Sequence, residues 1–477
     1  MSGLPTLPTE TLLEITKLIS PDDIVSWSLS CKRIFSCAQA RLKEHRELRA
    51  KYRSVNTNHH PSTLLCEIWA NPRIGYYIRT LAHDGLYHGK RRDDFQLPEG
   101  FDGGLEILRS SPYLQFNPSL IDSFNKAVTS YGFSINPPTP PCAEGACAAL
   151  LLSLLPNLTR LRLQWYDDIE EFWDSFLETI VKANDKDPSL PALRKLNILC
   201  FDHWDTRYSS CMSAIFPLLP VPSLRKLYLH AIDTSWDEPP EALTSSVEEI
   251  CANDCTFPEG RAFALFPRLK KLTFINGGAM ADGEMFWNVA AFINGLAKHT
   301  SETLEELSLD HQDPELELHF TDLSMFKKLK NFTSLCYLIV PAPFEYGLNG
   351  NEDEDVEPGA KAPNLARWVN EVPRLVDIFP RSIQQASLNT PVYEEYNDRM
   401  IKKLFDRFAE DKPSKCPDLV SIQLKGLEYP EPYFIFLLRE MCKGVGVELK
   451  TYADSNHIDY TDDTDSNDSV SFVGSQR

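Results

Sequence analysis

Cysteine, histidine and aspartate are the residues in this 477-residue chain whose spacing could carry chemistry. The 12 cysteines include two close pairs, Cys251-x3-Cys255 and Cys142-x4-Cys147. A structural zinc site draws its four ligands from two such pairs, and neither pair has a matching partner at zinc spacing. Both lie in apolar or turn settings that suit plain core thiols. His59-His60 is a lone pair in a polar connection, and Asp463-x-Asp465-x-Asn467 begins like a calcium loop without the central Gly or the closing Glu. No Walker-type loop, nucleophile elbow or paired-His metalloprotease motif occurs. These residues predict a binding protein with no catalytic centre, no metal and no cofactor.

Composition narrows the partners. The net charge of −20 disfavours a nucleic-acid backbone, which needs a positive field. Residues 1–60 are the exception, with nine Lys/Arg against six Asp/Glu. An apolar content of 43% supports a sizeable core, and the length suits two domains or one elongated array. The N-terminus lacks a charged-then-apolar signal, and the longest apolar run, near Ala146–Leu155, is too short to cross a bilayer. The expectation is no membrane, reduced thiols, and a location in cytoplasm, nucleus or both.

The elements that would position a partner begin at once. Leu7-Pro8-Thr9-Glu10 opens a helix with Pro in its first turn, and Leu12, Ile15, Leu18 and Ile19 follow at helical spacing. Ser20-Pro21-Asp22-Asp23 is a second start signal, with Ser20 as cap and Asp23 at the third position. The short helix after it carries Ile24, Val25, Trp27 and Leu29. A third helix follows Ser30-Cys31-Lys32-Arg33, with Ile34, Phe35, Ala38 and Leu42 expected on its buried side. Its basic strip of Arg41, Lys43, Arg46, Arg49, Lys51 and Arg53 reads as a solvated face supported by Glu44 and Glu47. Three helices of this size bury little, so the apolar excess points to a stripe that meets another protein.

Leu7-Pro8-x-Glu10-x-Leu12-x-x-Ile15-x-x-x-Ile19, then Pro21-x-Asp23-Ile24, then Leu29-x-Cys31-Lys32-x-x-Phe35, resembles the F-box motif from end to end over about residues 4–50. In that family the Leu-Pro turn and the apolar face behind it insert into the S-phase-kinase-associated adaptor of cullin–RING ubiquitin ligases. Carried over by position, the resemblance implies adaptor binding or motif core for Leu7, Pro8, Leu12, Ile15, Leu18, Ile24, Leu29 and Cys31. Trp27 departs from the pattern, because the family more often has a smaller aliphatic or polar residue there. A plain three-helix cap on a repeat array would not need Leu-Pro, Asp-Ile and Leu-x-Cys-Lys together.

After residue 150 the chain repeats itself. Apolar-x-x-apolar-x-apolar recurs at Leu158/Leu161/Leu163, Leu193/Leu196/Ile198, Leu224/Leu227/Leu229, Val247/Ile250/Ala252, Leu269/Leu272/Phe274 and Leu304/Leu307/Leu309. Weaker copies stand at Leu329/Phe332 and Ile383/Ala386/Leu388, a good one at Leu419/Ile422/Leu424, and Ile78/Leu81 is a candidate earlier member. Helical segments fall in the gaps at Ile169–Lys182, Glu284–Lys298 and Tyr393–Ala409. Strand followed by helix, repeated, predicts an α/β fold: a three-helix F-box, then an irregular leucine-rich-repeat solenoid with a parallel sheet and convex helices. This resembles the divergent leucine-rich-repeat F-box proteins common in fungi. The expected domains are 1–50 for the F-box, 51–145 for a helical and irregular connection, 146–452 for the repeats and 453–477 for a disordered acidic tail.

In such strands the residues between the apolar positions face the concave side. That places Arg160, Arg162, Lys195, Asn197, Lys226, Tyr228 and His230 there, followed by Glu249, Lys271 and Glu306. Arg160, Lys195 and Lys226 read as three like charges in succession, a patch for an acidic or phosphorylated segment of a target. Residues 84–117 and Asn136–Gly145 read as irregular connections and Pro341–Pro363 as an acidic insertion. The family resemblance implies a substrate receptor of a Skp–cullin–F-box ligase, with an adaptor, a cullin and an unknown protein target as partners. An F-box and repeat scaffold acting outside a ligase is the alternative.

Overall fold

A computed structural model of the chain describes residues 7–57, 61–84, 103–129, 142–164, 171–203, 210–233, 240, 243–276, 289–311, 327, 329–339, 373–389, 397–425 and 432–452. The chain divides into two compact units, Met1–Phe332 and Thr333–Arg477. This boundary falls inside the stretch that the sequence assigned to one repeat domain.

The first unit opens with α1 (Thr9–Leu18), α2 (Ile24–Leu29) and α3 (Lys32–Tyr52). Pro8 stands one residue before α1 in an extended conformation, at the N-cap rather than in the first turn. Ser20 does not cap α2, whose N-cap is Asp23, but the two residues form a reciprocal pair. The Ser20 hydroxyl accepts the Asp23 N–H at 3.2 Å and donates to the Asp23 carboxylate at 2.7 Å. They close a turn ahead of α2, which starts at Ile24. Cys31 Sγ accepts the Ile34 N–H at 3.4 Å and so caps α3, a role that hydroxyl and carboxylate side chains usually fill. Ile24, Ala38 and Leu42 make the small core, with Ile19 and Trp27 packed against it. Trp27 Nε1 donates to the Thr16 hydroxyl at 3.0 Å, which in turn donates to the Leu12 carbonyl at 2.7 Å, bolting α2 to α1. Phe35 is exposed, contrary to the sequence reading, because Ile34 and Ala38 already define the buried line of α3.

The unit continues through β1 (Ser54–Asn56), α4 (Pro61–Ala70), α5 (Arg73–Tyr77), β2 (Thr80–Asp84), α6 (Gly103–Ser110), α7 (Leu120–Thr129) and α8 (Cys142–Ser153). It then runs through β3 (Arg160–Gln164), α9 (Glu171–Lys186), β4 (Ile198–Asp202), β5 (Ser210–Cys211), β6 (Lys226–His230), β7 (Ile232–Asp233), β8 (Glu249–Asn253), β9 (Lys271–Asn276), α10 (Val289–Thr300) and β10 (Glu306–His311). β1, β2, β3, β4, β6, β8, β9 and β10 pair in that order, every pair parallel, while β5 and β7 form a separate small sheet. The second unit contains β11 (Ser334–Ile339), α11 (Leu375–Ile378), β12 (Gln385–Asn389), α12 (Asn397–Leu404), α13 (Phe408–Lys415), β13 (Ser421–Lys425), α14 (Pro432–Gly444) and β14 (Glu448–Tyr452). There β11, β12, β13 and β14 pair in order and in parallel.

β3, β6, β8 and β13 alternate side chains between a buried and an open face. The buried row runs Leu161, Leu199, Leu227, Ile250, Leu272 and Leu307, with Leu163, Phe201, Leu229, Ala252, Phe274 and Leu309 in the second row. On the buried side Phe274 of β9 meets Phe292 of α10 with ring centroids 5.0 Å apart, so that helix backs the sheet. One recurring device sets the register. The carbonyl of Arg79 accepts the N–H groups of both Thr159 and Arg160, and Thr159 does the same for Asn197 and Ile198. Asn197, Arg225, Glu248 and Lys270 repeat the arrangement strand after strand, and Thr333 and Gln384 repeat it in the second unit.

That register corrects the sequence reading in the second repeat. Ile198 pairs with Arg160, so β4 starts three residues later than the pattern Leu193/Leu196/Ile198 placed it. Leu193 adopts φ 60°, a left-handed conformation closed to a strand, and Leu196 takes the place equivalent to Leu158. The same three-residue slip occurs at Leu329/Phe332, because Leu335 is the residue paired with Ala386. Ile78 and Leu81 do belong to a repeat, β2, and are fully buried. The segment Tyr393–Ala409 yields two helices; Arg407, at φ 53°, separates α12 from α13. The connection 84–117 holds α6 and a 3-10 turn at Leu114–Phe116, and the linker ending at Gly145 is helical from Cys142. His59-His60, Pro341–Pro363 and the acidic tail lie outside the described residues.

Candidate functional site

Two surfaces present the residues that the sequence singled out. On the N-terminal helices, Leu12 and Ile24 have no exposed surface and belong to the core. Leu7, Ile15 and Cys31 are half-buried, and Pro8 is exposed. Leu18 and Leu29 stand in water, 86% and 73% exposed. Leu13, Val25 and Phe35 add exposed apolar side chains that the motif did not single out for a partner. Leu13 and Val25 each neighbour a core residue in sequence, Leu12 and Ile24, and therefore turn away from it by one helical step. The basic strip of α3 is partly neutralised: Arg41 pairs with Glu44, Lys43 with Glu47 at 3.9 Å, and Lys51 with Glu67 at 3.8 Å.

The second surface is the open face of the first unit's sheet. Its lower row reads Thr80, Arg160, Ile198, Lys226, Glu249, Lys271 and Glu306 across successive strands. The middle row reads Ala82, Arg162, Cys200, Tyr228, Cys251, Thr273 and Ser308. The three-cation patch expected from Arg160, Lys195 and Lys226 does not form, because Ile198 stands between Arg160 and Lys226. Lys195 precedes β4 and donates to Asn157 Oδ1 at 2.6 Å. Lys226 pairs with Glu249 at 2.8 Å, and that hydrogen bond, with burial opposing it, raises the lysine pKa. Lys271 pairs with Glu306 at 2.8 Å. Arg162 donates twice to the buried carboxylate of Asp202, at 2.8 and 2.6 Å. His230 Nδ1 accepts from Asn253 at 3.2 Å and lies 3.9 Å from Asp254.

The middle row is nearly neutral. Burial raises the Tyr228 hydroxyl and the Cys200 thiol, and pushes Cys251 up to about 11 with help from the Glu249 charge. Cys255 is buried, and burial holds its thiol far above the ordinary range. Cys147 is likewise buried in α8. Among the described residues no group of three or more His, Cys, Asp or Glu is placed to hold a metal ion, and no helix is long and apolar enough to cross a membrane.

No protein-family model matches the chain, and no curated protein matches it. Among solved structures it is similar to a chain of the crystal structure of the Rad7 and Elc1 complex in yeast. The identity is 13%, the match covers 64% of this chain and 77% of that one, and the TM-score is 0.22.

Proposed function

We propose that the chain is the substrate-recognition subunit of a Skp–cullin–F-box type E3 ubiquitin ligase. In this reading α1 to α3 dock on the S-phase-kinase-associated adaptor, and the open sheet face holds a target protein. The observation that carries it is the pair Leu18 and Leu29, left in water by helices that already possess a closed core in Leu12, Ile24, Ala38 and Leu42. Burying a leucine side chain is worth about 2 kcal/mol, so two such residues meeting a foreign groove supply a substantial share of a docking free energy. The chain itself transfers nothing. It raises the effective concentration of the target and orients the acceptor lysine for the other subunits.

The test replaces Leu18 and Leu29 together with Asp in the full chain and measures capture of purified adaptor and cullin. Both side chains are exposed, so the melting temperature should stay within a degree or two while adaptor capture is lost. Undiminished capture by the doubly substituted chain would sink the reading. Wild-type capture of adaptor without cullin selects the scaffold role outside a ligase.

A further inference from the structure

In Pro21-x-Asp23-Ile24 the family pattern leaves the second position open, and here it holds Asp22. The residue lies in the turn between α1 and α2, yet its carboxylate reaches the loops that lead into the sheet. Oδ1 accepts from Arg79 Nη2 at 2.5 Å, and Oδ2 lies 3.8 Å from Lys195 Nζ. Arg79 immediately precedes β2 and Lys195 lies shortly before β4. The two cations are held by one further residue, Asn157, ahead of β3. Its carbonyl accepts from Arg79 Nη1 at 3.5 Å, and its Oδ1 accepts from Lys195 at 2.6 Å. Asn157 is itself buried and donates through Nδ2 to the Tyr76 carbonyl at 2.9 Å. One carboxylate on the helical module thus meets cations from two repeats that flank a third, both anchored to a buried asparagine of the repeat between them.

We infer that Asp22 is a positioning residue that fixes the N-terminal helices against the first repeats. The module is also tied through α3, which runs directly into β1, bonds α5 between His45 Nδ1 and the Tyr77 hydroxyl at 3.1 Å, and bonds α4 where the Tyr52 hydroxyl donates to Glu67 Oε2 at 2.9 Å. All of these ties lie along one helix, so a rotation about its axis is the motion they restrain least. The Asp22 carboxylate, on a different element, removes it. The inference deepens the ligase reading and rests on it in one respect: an adaptor-docked module held at a fixed angle presents the sheet face, and anything on it, in a fixed direction.

Two measurements on the full chain test this. The first needs no ligase. Fluorophores on unnatural amino acids at the exposed positions Gln39 and Lys182 report the distance distribution between α3 and α9. Asp22→Ala should broaden it and raise the population of longer and shorter distances about fivefold, the scale of an exposed ion-pair network. The charge-swapped triple variant Asp22→Lys, Arg79→Glu, Lys195→Glu should restore the narrow distribution, which a residue needed only for folding would not do. A wild-type distribution in Asp22→Ala overturns the inference. The second measurement maps self-modified lysines in the reconstituted complex with adaptor, cullin and RING subunit. Wild type should modify a restricted set and Asp22→Ala a wider one, with adaptor affinity unchanged. An identical lysine set beside a broadened distance distribution removes the functional half. A wild-type chain that does not assemble with adaptor at all counts against the ligase reading and leaves the distance result standing.

Discussion

Asp174, in the first turn of α9, has one carboxylate oxygen, Oδ1, buried without a hydrogen-bond partner. Burial, with the Glu178 charge adding to it, raises its carboxyl pKa from 3.8 to about 6. The folded state therefore binds this proton more tightly than the unfolded chain. The stabilisation is complete below about pH 4 and is lost as pH rises through 6. At pH 7.5 the ion sits in a site that disfavours it, at a cost of about 1 kcal/mol after allowance for its partial exposure. Asp174→Asn should raise the melting temperature by about 2 °C at pH 7.5 and leave it unchanged near pH 4. Thermal melts at the two pH values check this, and equal shifts at both would contradict it. At this scale the sequence was only half legible. Leu12 and Leu18 are the same residue type on one helix, and nothing in their spacing tells which is core and which is open. The difference comes from where α3 lies. Lys195 misled for a different reason, since β4 starts at Ile198 and leaves the lysine ahead of the strand.

At the scale of elements, the alternation that reveals strands also conceals their start. Leu193, Leu196 and Leu199 are spaced by three, so the six-residue template fits them in two registers. The left-handed Leu193 decides between the registers, and the pattern cannot read a backbone angle. β1 and β14 were invisible because Ser54-Val55-Asn56 offers one apolar residue and β14 buries only Leu449. The three N-terminal helices, by contrast, follow from caps and spacing to within a few residues. Glycine gives this scale its prediction. Gly75, buried in α5, comes so close to the end of α8 that an added Cβ would lie 2.3 Å from the Leu154 carbonyl oxygen. Backbone cannot swing aside as a side chain can, so Gly75→Ala should destabilise the chain by about 2 kcal/mol. Urea unfolding would register it as a lower midpoint, and an unchanged midpoint would mean that α5 is free to shift.

Across the whole molecule, local attraction and global repulsion oppose each other. Two ion-pair ladders cross neighbouring strands, one through Arg225, Glu248 and Lys270, the other through the pairs Lys226–Glu249 and Lys271–Glu306. Contacts of 2.8 to 3.5 Å lie well inside the Debye length at ordinary ionic strength, whereas the self-repulsion of a chain carrying −20 acts over much longer distances. Added salt should weaken the repulsion more than the ladders. The melting temperature should therefore rise between 20 and 300 mM sodium chloride, and a fall would show that the ladders outweigh the net charge.

The shared carbonyl ahead of each strand has a consequence for how such a chain can change over generations. Two amides seized by one oxygen lock the incoming strand at its first residue, whatever length of polypeptide led there. Successive locks therefore act like the teeth of a zip, and the intervening thread can lengthen with only a slow, logarithmic loss of closure entropy. A scaffold of this kind tolerates insertion almost anywhere except at its teeth, which explains how strands that start 22 to 80 residues apart can still build one evenly ruled surface in each unit.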